Sequence, residues 1–107
     1  MKNILNNLTY NEKRKLADKL QLLIDYVLHL DKKITKIKNA LYCYTWLLNE
    51  LSPLSSYKMS TPTMEQRKDV IDVTKEVALQ NTTDEQICGA IKYVAEYYKF
   101  KIDFEDS

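Results

Sequence analysis

Residues able to do covalent or metal chemistry are scarce in this 107-residue chain: one histidine and two cysteines, with a single glycine to shape any loop. His29 follows Asp25 by one helical turn, a spacing that lets a carboxylate fix the imidazole tautomer. One histidine cannot build the clustered sites that hold zinc or iron, so the pair is expected to be a solvent-facing helical contact. Cys43 and Cys88 lack Cys-x-x-Cys spacing, and no histidine near either in sequence would activate it. Both are expected to be buried structural thiols. Gly89 alone cannot make a glycine-rich phosphate loop. Inside a helix it costs roughly 1 kcal/mol relative to alanine, which predicts a close helix-to-helix approach there. No residue is assigned a catalytic, cofactor-binding or metal-binding role, and the chain is expected not to be an enzyme.

Charged and aromatic side chains offer binding chemistry instead. Glu65, Asp69, Asp72 and Glu76 recur at helical spacing, an acidic ridge broken only by Lys68 and Lys75. Such a ridge suits a basic groove on a protein target. Lys32, Lys33, Lys36 and Lys38 form a basic waist in DKKITKIK. The waist suits phosphate, or it pairs with the ridge; otherwise both are solvated faces. Tyr42, Tyr44 and Trp46 crowd one stretch, and Tyr93, Tyr97 and Tyr98 another. Trp46 is either covered by later helices or exposed as a binding hot spot, and core packing is the favoured outcome. Tyr98, Phe100, Ile102 and Phe104 alternate with Lys99, Lys101, Asp103 and Glu105, a strand-like period. That tail is expected to lie back on the bundle or to add to a sheet on a partner or second copy. The partner-contact candidates are therefore Glu65, Asp69, Asp72, Glu76, Trp46, Phe100, Ile102 and Phe104.

Helices must position these groups. Thr9-Tyr10-Asn11-Glu12 fits a capping box. From Leu16 through Leu20, Leu23, Val27, Leu30, Ile34, Ile37, Leu41, Tyr44 and Leu48 to Leu51, apolar residues alternate steps of four and three for five heptads. No glycine or proline interrupts them before Ser52-Pro53. The spacing predicts one long helix over about 10–51, with a break near residue 30 as the alternative. Thr61-Pro62 opens a second helix to about residue 80, with Thr61 as cap. A third runs over about 84–99 behind the polar stretch Thr82-Thr83-Asp84. A rod of roughly 60 Å, at 1.5 Å per residue, would leave apolar surface wet. It therefore predicts a homodimer through the seam Leu20, Leu23, Val27, Leu30, Ile34, Ile37 and Leu41.

Two prolines and one glycine leave little turn chemistry and exclude a sheet protein. The fold class is all-α, a helical bundle forming a single domain over 1–107. The net charge of +1 argues against nucleic-acid binding. Residues 1–50 carry nine basic and five acidic side chains against seven and ten in 51–107, an asymmetry that lets the halves attract. No apolar run approaches the roughly 20 residues of a membrane span, and MKNILNNL lacks a signal-peptide core, so a cytoplasmic location is expected. Abundant Lys, Asn, Ile and Tyr point to an AT-rich genome, such as that of a low-GC bacterium, its phage or a mobile element. In size and helicity alone the chain is similar to bacteriocin immunity proteins and to phage proteins that inhibit host machinery. The leading expectation is a non-enzymatic protein-binding module, an inhibitor or adaptor for an unidentified host protein. The alternatives are an immunity-type four-helix bundle that binds a toxin or its receptor, and a nucleic-acid-binding accessory protein.

Overall fold

The computed structural model describes residues 7–52, 58–80 and 85–100. They form four helices: α1 (Tyr10–Val27), α2 (Ile34–Leu51), α3 (Met64–Gln80) and α4 (Glu85–Tyr98). Each packs on its sequence neighbours, and α1 closes the ring against α4. The start of α1 lies against the end of α2, the start of α2 against the end of α3, and Arg67 early in α3 against Tyr98 at the end of α4. Neighbours therefore run antiparallel, as in an up-and-down four-helix bundle.

The apolar stretch 10–51 is two helices, not one. Helix α1 starts at the expected capping box: the Glu12 amide donates to Thr9 Oγ1 at 3.2 Å, and the Thr9 amide to Glu12 Oε1 at 3.1 Å. It stops at Leu28 without a glycine. His29 supplies the stop, its Nδ1–H donating to the Asp25 carbonyl at 2.8 Å. A carbonyl only accepts, so this contact sets the Nδ1–H tautomer. The contact is with backbone, not with the Asp25 carboxylate the sequence suggested. The amides of His29 and Leu30 reach back three residues, to Tyr26 and Val27, tightening the turn. Folding back lets α1 and α2 bury apolar faces on each other and avoids the wet rod.

That hairpin removes the argument for a dimer seam. Leu20, Leu23 and Val27 are wholly buried within one chain. Each contributes about 1.5–3 kcal/mol as a fully buried aliphatic side chain. Beyond the turn the heptad phase is kept only in part, at Tyr44 and Leu51. Helix α2 buries Ala40, Cys43, Tyr44, Trp46, Leu47 and Leu51. Leu30, Ile37 and Leu41 move to the flank, and Ile34 is 71% exposed.

Helix α3 starts two residues later than expected. Thr63, not Thr61, is the cap: the Gln66 amide donates to Thr63 Oγ1 at 3.2 Å, and the Thr63 amide to Gln66 Oε1 at 2.9 Å. Pro62 is buried just before it. Val70, Val73, Thr74, Val77 and Ala78 face the core. β-Branched residues are mediocre helix formers, so burial holds this helix. Thr82, Thr83 and Asp84, the expected cap of α4, lie outside the described residues. Helix α4 ends in a reversal rather than a strand. Lys99 has φ 63°, and the Phe100 amide donates to the Ala95 carbonyl five residues back at 3.0 Å. This is the six-to-one bond of a Schellman motif. Tyr98 is thus helical and Phe100 packs on the core; Ile102 and Phe104 lie outside the described residues.

One polar contact sits inside the core. Tyr44 and Thr74, both with no exposed surface, share a hydrogen bond of 2.6 Å between hydroxyls. Burial pushes the Tyr44 phenol far above its usual range, so it stays protonated and can donate. Thr74→Val strands that phenol and is expected to lose about 1–3 kcal/mol. Tyr44→Phe should cost less, because the threonine hydroxyl can turn to a carbonyl one turn back. The double variant should match Tyr44→Phe more closely than the sum of the two. Urea melts of all four proteins measure this coupling, and strict additivity would contradict it.

Candidate functional site

The acidic ridge and the basic waist meet across the α2–α3 groove. Lys32 pairs with Glu76, Lys36 Nζ with Asp72 Oδ2 at 2.9 Å, and Asn39 Nδ2 donates to Asp69 Oδ2 at 2.6 Å. Further along, the Cys43 thiol donates to the Gln66 carbonyl at 3.5 Å. Steps of four and three along α2 answer steps of four and three back along α3. The Asp72 contact holds the Lys36 ammonium above its usual range, with hydrogen bonding as the main cause. Three of the four ridge residues are thus engaged by α2. Glu65, one turn earlier, is exposed. Lys33 and Lys38 remain exposed.

Trp46 is covered. It is 9% exposed, and its ring lies 5.7 Å from that of Tyr97, which stands edge-on to Tyr98 at 5.2 Å. The Arg67 guanidinium lies 6.0 Å from the centre of the Tyr98 ring. Around this cluster, Arg67 Nε and the hydroxyls of Tyr93 and Tyr98 are buried without a hydrogen-bond partner. Burial pushes the Cys43 thiol up to about 11, and the neighbouring Tyr98 and Arg67 oppose this only in part. Neither Cys43 nor Cys88 forms a disulfide, and both are buried. Gly89 packs under α1: a Cβ there would come within 3.1 Å of Lys19 Nζ and 3.3 Å of Lys19 Cδ. The close approach is to a lysine stem rather than to backbone. Among the described residues, no group of three or more His, Cys, Asp and Glu gathers as a metal site would, and no helix is long and apolar enough to cross a membrane.

With the ridge engaged, the two ends of the bundle carry the notable exposed chemistry. At the α1–α2 turn, Leu28 is 56% and Ile34 71% exposed. Leu79 continues the α3 stripe of Asp72 and Glu76 to the level of this turn and is 84% exposed. Tyr26 Oη donates to Gln80 Oε1 at 3.2 Å beside it, tying α1 to α3. At the opposite end, a groove of about 200 Å³ opens between α1 and α2. Ala17, Leu48 and Leu51 line it with Tyr10, Lys13, Arg14 and Ser52. Sequence reading passed over both ends. The heptad pattern assigned Ile34 to a seam, and nothing local marks Leu28 or Leu79 as exposed. Comparison with protein-family models, curated proteins and solved structures finds no significant match to this chain.

Two measurements test the engaged ridge and the inert thiol. Lys36→Glu and Asp72→Lys are each expected to lower the melting temperature slightly, as exposed pairs contribute about 0–1 kcal/mol. The double swap should recover part of the loss. A ridge that binds only an external target would give no recovery. Native Cys43 should alkylate at pH 8 about 100-fold more slowly than in the urea-unfolded chain. That is the thiolate deficit between a pKa of 9.0 and one of about 11. Peptide mass spectrometry reads this directly, and equal rates would show an accessible, activated thiol.

Proposed function

We propose that this chain is a small non-enzymatic protein-binding module, an inhibitor or adaptor of host machinery in the cytosol, acting as one four-helix bundle. The observation that carries the reading is the apolar end formed by Leu28, Ile34 and Leu79. Three large apolar side chains held in water near one end of the bundle suit a docking face, although Tyr10 and Met64 are similarly exposed near the other. Partner contact through the acidic ridge is less favoured, because α2 already engages Asp69, Asp72 and Glu76. Nucleic-acid binding loses support for the same reason, since Lys32 and Lys36 are committed to carboxylates. The closed four-helix form, in place of a rod, favours the narrower reading in which the partner is a toxin or its receptor. A mobile-element origin would suit either version.

Leu28→Ser with Leu79→Ser should leave the melt nearly unchanged, since exposed positions usually shift stability by less than about 0.5 kcal/mol. The same double variant should lose the protein that the wild type captures from a low-GC bacterial lysate. Light scattering of the isolated chain should give the monomer mass. Undiminished capture by the double variant would remove this end as the docking face. A dimer that the two serines dissociate would make the partner a second copy.

A further inference from the structure

The groove at the other end of the bundle has a different chemistry. Its floor is apolar, from Ala17 on α1 and Leu48 and Leu51 on α2, and Lys13 and Arg14 stand at its edge with the Tyr10 ring. Tyr10 is 60% exposed. Among the described residues, neither cation joins an ion pair. Of the nearby carboxylates, Glu12 is held by Thr9 in the capping box, Asp18 one turn after Arg14 forms no ion pair with it, and Glu50 lies near Tyr97. Two uncompensated cations over an apolar floor complement an anion that carries an apolar group.

We propose that this groove docks an acidic peptide segment of a partner protein, one apolar side chain seated against Ala17 and Leu48 and adjacent carboxylates on Lys13 and Arg14. Size selects a peptide over a free small molecule. Ligand pockets that enclose a drug-sized compound span roughly 300–1,000 Å³, and this groove offers about 200 Å³. That volume suits one anchoring side chain, with the rest of the segment held on the surface. Carboxylate–guanidinium and carboxylate–ammonium contacts then supply direction and selectivity. The assignment rests on the reading of the chain as a protein-binding module, but it concerns the end opposite Leu28 and Leu79.

A random peptide library displayed on phage and selected on the immobilised full chain tests this. Enriched sequences should carry Asp or Glu beside Leu, Ile or Phe. A fluorescein-labelled peptide of the most enriched sequence should bind the wild type and weaken by about tenfold for each of Lys13→Gln and Arg14→Gln, the scale of one charge-assisted hydrogen bond. Lys13→Arg should retain binding. Thermal melts of the variants check the fold, and the Thr9–Glu12 cap is untouched by all three. Enrichment of basic or uncharged sequences, no enrichment, or binding indifferent to both glutamine variants would overturn the proposal. If binding proves indifferent to the glutamine variants but falls in the Leu28 and Leu79 double variant, the groove assignment fails while the protein-binding reading stands.

Discussion

The register of α2 on α3 is the constraint on which the rest of the bundle depends. At its centre the Tyr44 and Thr74 hydroxyls bond inside a mainly apolar core. On its solvent side Lys32, Lys36 and Asn39 meet Glu76, Asp72 and Asp69 in matching steps. The two sets differ in weight. An exposed ion pair contributes about 0–1 kcal/mol, whereas a buried hydroxyl left without a partner costs about 1–3 kcal/mol. Sliding α3 by one turn would part Tyr44 from Thr74, while flexible lysines could find new carboxylates. The inner bond therefore fixes the register and the outer pairs follow it. Helix α3 needs this docking, because its inward stripe of Val70, Val73, Thr74 and Val77 gains little from helix propensity.

That register decides which surfaces remain for function. An acidic ridge that looks available on an isolated helix becomes half of an internal seam once α2 lies beside it. In the basic waist, Lys32 and Lys36 are committed to carboxylates, while Lys33 and Lys38 stay exposed. Trp46 follows a similar logic: α4 crosses over it and places Tyr97 against its ring. Most of the exposed large apolar side chains among the described residues lie near helix ends. Leu28, Ile34 and Leu79 occupy one end, and Lys13 and Arg14 occupy the other.

The local signals in the sequence carried through to the fold, and the long-range ones only in part. The Thr9–Glu12 box and the α1 stripe of Leu20, Leu23 and Val27 were legible, because each depends on residues a turn apart. The break between α1 and α2 was not. No glycine or proline marks it; His29 performs the stop by donating to the Asp25 carbonyl, and a histidine in an apolar run carries no such meaning on its face. The unbroken heptad phase pointed to a rod, yet α2 turns its Ala40, Cys43 and Leu47 face inward once it packs on both α1 and α3. Periodicity shows that a face is apolar, but the partner helices decide its centre. The start of α3 slipped for a smaller reason: Thr61 and Thr63 both precede plausible helix starts, and only Thr63 has a glutamine three residues on to close the box.

Conformational cost is concentrated where α4 ends. Lys99 occupies a left-handed conformation that glycine takes freely and that costs other residues on the order of 1–2 kcal/mol. Close by, the buried hydroxyl of Tyr98 and Arg67 Nε lack partners. The left-handed residue follows from reversing the chain after Tyr98 so that Phe100 returns to the core. A helix that simply frayed there would avoid the left-handed residue but would expose Phe100. Burying one large aromatic side chain is worth about 1.5–3 kcal/mol, enough to offset the strain at Lys99. The packing of Phe100 on the core thus holds the reversal in place at the end of α4.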